Sequence, residues 1–196
     1  SQGCISTMIK DIRTFKPIDN SKEFFIDTNV LYWYSYSKYD FFNTSTKKQA
    51  QPYLDFLEML IYNKHPIFTS IYNLSELLHI IEKHEFSIYQ ETNKELKLSI
   101  KDFRRLTSRK YVKNELLTAL ANTKNLCTIL NYSFSLSELE EFIDTSDKHR
   151  CDNYDFIIIK NCIEKEKINI ISDDSDFSTL DKINLYTANE NILDIK

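Results

Sequence analysis

Aspartates stand directly behind two short apolar runs: Asp27 after Phe24-Phe25-Ile26, and Asp173, Asp174 and Asp176 after Ile168-Asn169-Ile170-Ile171-Ser172. Glu76 lies on an apolar-periodic stretch that begins near Thr69, and Asp152 and Asp155 open the run from Phe156 to Cys162. In an open parallel sheet, ligands bind beyond the carboxyl ends of the strands, where these groups would gather. Carboxylates crowded there without cations raise one another's pKa values, and a divalent metal keeps them ionised. Oxygen-only ligands select hard Mg²⁺ or Mn²⁺, and no His or Cys set nearby favours zinc. Such a site activates water and neutralises a phosphate during in-line displacement, with no protein nucleophile required.

Taken singly, each segment has a plainer reading. Asp27-Thr28-Asn29 makes a turn and helix cap. Residues 173–176 make an Asx-rich turn, without the central Gly or position-twelve Glu of a calcium loop. Glu76 points away from the Leu74, Leu77, Leu78, Ile81 stripe, as a solvated glutamate does. Asp152 and Asp155 suit the positive end of a helix. Capping alone does not explain four such groups at one edge of one sheet.

That edge needs elements to build it. Residues 24–26, 66–69, 132–136, 168–172 and 183–186 read as strands, alternating with helices. A helix starts behind Asn29, and Ala50, Tyr53, Leu54, Leu57, Leu60 and Ile61 mark a second one ending near Asn63. Thr69 or Ser70 caps the helix that carries Glu76. Residues 91–130 read as mainly helical, with Lys97, Lys101, Arg105, Arg109 and Lys113 at every fourth position as a basic ridge on one helix. A short helix is expected in the tail. Residues 1–22 are polar and aperiodic and read as a loose lead-in, with order expected from Phe24. The alternation predicts an α/β fold with a parallel sheet covered on both faces, a single domain over 23–196.

Composition removes several alternatives. The only glycine is Gly3, where average usage would supply about fourteen. Phosphate loops and dinucleotide fingerprints need two or three, because backbone must approach phosphate closely. Cys4, Cys127, Cys151 and Cys162 form no C-x-x-C pair and read as reduced, mostly buried thiols. His79 and His84 are five apart, one too many for a helical zinc motif. No apolar run is long enough to span a bilayer and no leader opens the residues, so a cytoplasmic protein without membrane contact is expected. Net charge is −4, yet residues 97–113 hold seven basic side chains against Asp102 alone.

Four segments, in order, resemble the motifs of PIN-domain nucleases: residues 24–31 around Asp27 and Asn29, residues 69–77 around Glu76, residues 153–158 around Asp155, and residues 171–177 around Asp174 and Asp176. The resemblance spans about residues 23–190 and implies a three-layer α/β/α fold whose carboxylate site cleaves RNA with Mg²⁺ or Mn²⁺, leaving 5′-phosphate and 3′-hydroxyl ends. By motif position it implies a catalytic and metal-binding quartet of Asp27, Glu76, Asp155 and Asp174. Asp176 would be a further ligand, Asn29, Asp152 and Ser172 polar support, and Asp173 a turn residue. The carboxylates repel a polyanion, so Lys97, Lys101, Arg104, Arg105, Arg109 and Lys113 are expected to hold the RNA. The helical stretch at about 86–130 is expanded relative to VapC-type toxins of toxin–antitoxin pairs. It could serve an antitoxin or other protein partner, a structured RNA or a homodimer. The activity expected is therefore an endoribonuclease, a toxin or an RNA-processing enzyme. The rival is a non-catalytic PIN-like module that binds RNA or protein. A haloacid-dehalogenase-type phosphatase would end its first strand Asp-x-Asp, where this chain has Asn29.

Overall fold

Short apolar runs bounded by polar turns form strands when both faces can be covered. In the computed structural model, which describes residues 7–17, 21–133 and 135–194, six such runs pair in parallel. They are β1 (Met8–Asp11), β2 (Phe24–Ile26), β3 (Ile67–Ser70), β4 (Thr128–Leu130), β5 (Asn169–Ile171) and β6 (Asn184–Thr187), in the order β1-β6-β5-β2-β3-β4. β2 is central and buried along its whole length. Its Phe24 and Ile26 join one core cluster and Phe25 the other, as the period-two alternation of a strand requires.

The helices form the outer layers. α1 (Thr28–Ser35), α2 (Thr44–Tyr62), α3 (Ile71–Thr92) and α5 (Arg109–Leu126) contribute to the Phe24 side, and α7 (Asn153–Glu164) to the Phe25 side. α4 (Ile100–Phe103), α6 (Leu136–Thr145) and α8 (Glu190–Leu193) complete the α-helices among the described residues, beside 3₁₀ turns at Ile12–Thr14 and Ser175–Thr179. The fold is therefore a three-layer α/β/α arrangement around a parallel sheet. From β2 the chain steps outward to β3 and β4, then returns to β5 on the other side of β2. This reversal places a topological switch point between β2 and β5, where a crevice opens beyond the strand ends.

Three expectations are corrected. The lead-in is not loose throughout: Met8–Asp11 pairs with β6, Ile12 is 4% exposed, and Phe15 packs edge-on against Phe24 and Phe56. An edge strand alternates exposed and half-buried residues, which in sequence looks like polar coil. Residues 1–6 and 18–20 of that segment, Gly3 and Cys4 included, lie outside the described residues. The strand expected at 132–136 is instead β4, four residues earlier, and Ser135 begins the α6 capping box. Residues 91–130 are mainly helical, yet the basic ridge does not lie on one helix, and the last three of these residues are that strand. α3 runs to Thr92, residues 93–99 leave the helix, and a Ser99 capping box starts the one-turn α4. Among the described residues, no helix is long and apolar enough to cross a membrane.

Candidate active site

Asp27 follows β2 at the N-cap position of α1, yet its side chain makes no cap hydrogen bond. Its two oxygens are held from neighbouring elements: Ser172 donates to Oδ2 at 2.7 Å and Asn73 Nδ2 to Oδ1 at 3.2 Å. Ser172, fully buried behind β5, is the hub of the crevice, because its Oγ also accepts from Asn29 Nδ2 at 3.3 Å and from the Asp174 N–H at 3.0 Å. Glu76 reaches the same place from α3, one turn beyond Asn73, and Thr28 Oγ1 donates to it at 2.7 Å. Asp152 caps α7 through the Asp155 N–H at 2.9 Å, and Asp174 caps the 3₁₀ turn Ser175–Thr179 through the Asp176 N–H at 2.8 Å. For these two the capping reading holds alongside their place at the crevice.

The carboxylates feel one another. Burial, with added repulsion from Glu76 and Asp174 and opposed by Ser172, pushes the Asp27 carboxyl up to about 7. Burial first, then Asp27, Asp152, Glu76 and Asp174, pushes Asp155 up to about 8. Among the described residues, no ion pair involves Asp27, Glu76, Asp152, Asp155, Asp174 or Asp176. Uncompensated negative charge made only of hard oxygen donors suits a divalent cation of the Mg²⁺ class. Also among the described residues, no three His, Cys, Asp or Glu side chains are drawn close enough to grip an ion as they stand.

The PIN-domain family model matches residues 24–183. The chain belongs to the PIN-domain family. No curated protein matches it. The PIN domain is a nuclease-type fold.

Two residues of this PIN domain were missed in sequence. Asn73 is 1% exposed on the apolar side of α3 and donates to both Asp27 and Thr28. A buried amide always needs partners, so an Asn on the apolar stripe three residues before Glu76 was the available signal. Asp173, read as a turn residue, is an anchor: Tyr53 Oη donates to it at 2.6 Å, Gln49 binds its other oxygen, and Asn189 Nδ2 donates to its carbonyl at 2.7 Å. These bonds tie the loop carrying Asp174 to α2 and to the segment before α8.

The basic ridge is not one ridge. Lys97 lies before α4, Lys101 within it, Arg104 and Arg105 in the following turns, and Arg109 and Lys113 on α5. Arg104 and Arg109 both bind Glu82, whose side chain is only 8% exposed. They link the turn after α4 and the start of α5 to α3. Glu82 is six residues past Glu76, about 9 Å further along the helix axis. Aromatic residues near the first motif are core: Tyr36 is 1% and Trp33 is 8% exposed.

Proposed function

We propose that this PIN domain hydrolyses RNA phosphodiester bonds with Mg²⁺ or Mn²⁺. The observation that carries the reading is the convergence of Asp27, Glu76, Asp155 and Asp174 at the switch point between β2 and β5, uncompensated by any described cation. These four would hold the metal, with Asp176 beside Asp174 as a further ligand. A bound divalent ion supplies Lewis acidity toward water and phosphate. The chain supplies position. Ser172 and Asn73 fix both oxygens of Asp27, Thr28 aims Glu76, Asn29 braces Ser172, and Asp152 sets the first turn of α7 beneath Asp155. Lys97, Lys101, Arg105 and Lys113, all exposed and outside the Glu82 clasp, are the cations left to attract a polyanion. Cys127, Cys151 and Cys162 are buried free thiols, which suits a reducing, cytoplasmic setting.

A second reading, a non-catalytic module that binds RNA or protein, draws on the spacing of the carboxylates, none of which form a ready three-ligand group among the described residues. One experiment separates the two. A mixed pool of single-stranded and hairpin RNA is incubated with Mn²⁺ or EDTA and either the parent protein or Asp174→Asn. The nuclease yields Mn²⁺-dependent fragments that Asp174→Asn does not. A folded parent that binds RNA and leaves it intact with Mn²⁺ rejects the nuclease.

A further inference from the structure

A cavity of about 640 Å³ lies at the β1 edge of the sheet, and none of Asp27, Glu76, Asp155 or Asp174 lines it. Its volume is in the range of small-ligand pockets. Three lysines stand in its wall: Lys10 on β1, Lys16 in the segment that follows, and Lys22 two residues before β2. Lys10 and Tyr186 are register partners in the β1–β6 pair, so both side chains leave the sheet on the same face. That face is the one on which Tyr186 joins Phe24 in the core.

Tyr186 is 2% exposed, and its hydroxyl accepts from Lys22 Nζ at 3.0 Å. Among the described residues that hydroxyl has no acceptor for its own proton. Lys22 is half-buried, with Nζ 5.7 Å from the ring centroids of both Phe15 and Tyr186. The rings attract the cation without cancelling its charge, and two of its three donors remain unspent. None of the three lysines forms an ion pair among the described residues. The acid in the lining, Asp11, is already compensated, because Arg13 binds both of its oxygens, from Nε at 2.9 Å and from Nη2 at 2.8 Å. The cavity is therefore a concave wall of uncompensated positive charge with a buried hydroxyl donor, which attracts a compact oxoanion. A polynucleotide track spreads its cations along a surface, whereas these line one cavity.

We propose that this cavity seats a small polyvalent phosphate anion of the pyrophosphate class, with Lys10, Lys16 and Lys22 neutralising it and the Tyr186 hydroxyl donating to one of its oxygens. The site is separate from the carboxylate crevice and does not depend on the nuclease reading.

Isothermal titration of the full chain with pyrophosphate tests it, in EDTA so that no divalent ion binds the probe and at fixed ionic strength. The parent is expected to bind with a stoichiometry of about one. Lys10→Ala combined with Lys16→Ala should weaken binding at least about tenfold, as should Tyr186→Phe, the scale of one hydrogen bond to a charged group. The melting temperature of the lysine pair without ligand should equal the parent's, which separates loss of the site from loss of the fold. Lys83→Ala combined with Lys124→Ala removes the same charge from exposed positions on α3 and α5 and should keep the parent's affinity. No binding by the parent, parent-like affinity in the Lys10 and Lys16 pair, or equal weakening by the Lys83 and Lys124 pair overturns the site. Loss of affinity for a single-stranded RNA hexamer in the Lys10 and Lys16 pair, with no pyrophosphate bound by the parent, assigns the cavity to a polynucleotide backbone and also overturns the small-anion site.

Discussion

Burial keeps the Asp27 and Asp155 carboxyls protonated far above the ordinary aspartate range, up to about 7 and about 8. In an unfolded chain both ionise near 3.9. A carboxyl whose folded pKa is raised contributes stability that is fully present below the unfolded value and is lost as pH rises through the folded one. In EDTA the parent should therefore lose ground to Asp155→Asn as pH climbs from about 4, and the gap should level off above about 8. Thermal melts of both proteins across that range check it. A gap independent of pH would mean that Asp155 is not held in the surroundings described. At this scale sequence named the carboxylates but not Asn73 or the Asp173 anchor, because hydrogen-bond partners contributed by other elements leave no mark in a local motif.

Helix ends carry the next prediction. Left-handed backbone just past a helix usually falls to glycine, and this chain has a single glycine near its start. Lys64 after α2 and Glu166 after α7 take up φ of 58° and 57° instead. Each is followed by the long back-bond that closes a helix, from the His65 N–H to the Leu60 carbonyl at 3.0 Å and from the Lys167 N–H to the Cys162 carbonyl at 2.8 Å. A side chain with a Cβ is strained there by about 1 kcal/mol. Lys64→Gly and Glu166→Gly, both at exposed sites, should each stabilise by up to about 1 kcal/mol, less the extra entropy of an unfolded glycine. Paired denaturation curves, with the double variant for additivity, decide it; a loss of stability at either site rejects the assignment of strain. Element types were readable wherever apolar periodicity was strong, as in α2, α3 and α7. The four-residue β1 and the break before α4 were not, since an edge strand is half polar and a Ser99 capping box acts within what otherwise continues a helical pattern.

Across the whole molecule charge is divided between an acidic crevice and a basic segment that the Glu82 clasp holds against the far part of α3. Arg104 and Arg109 belong to that clasp, so an RNA-binding test must spare them. Replacing Lys97, Lys101 and Lys113 together by Glu should weaken RNA binding and flatten its dependence on salt. The slope of log affinity against log salt should fall by about 0.7 for each single-strand phosphate left without its cation. The melting temperature should hold, because none of the three forms an ion pair among the described residues. An unchanged slope would move the substrate path to another surface.

Sequence by itself determined what depends on neighbours along the chain. Apolar runs ending in Asp27 and in Ser172 to Asp174, the alternation of strands with helices, and the near absence of glycine were enough for an α/β sheet with acidic strand ends. Tertiary structure decided what depends on residues far apart in the chain. The return of β5 to the side of β2 brings Ser172 to Asp27 across 145 positions of sequence. The packing of α3 against the α4 segment turns two of the expected RNA-binding arginines into partners of a buried glutamate. The distinction is physical: periodicity and capping are short-range and show in local pattern, while electrostatic compensation and hydrogen-bond satisfaction are settled only when the chain has folded.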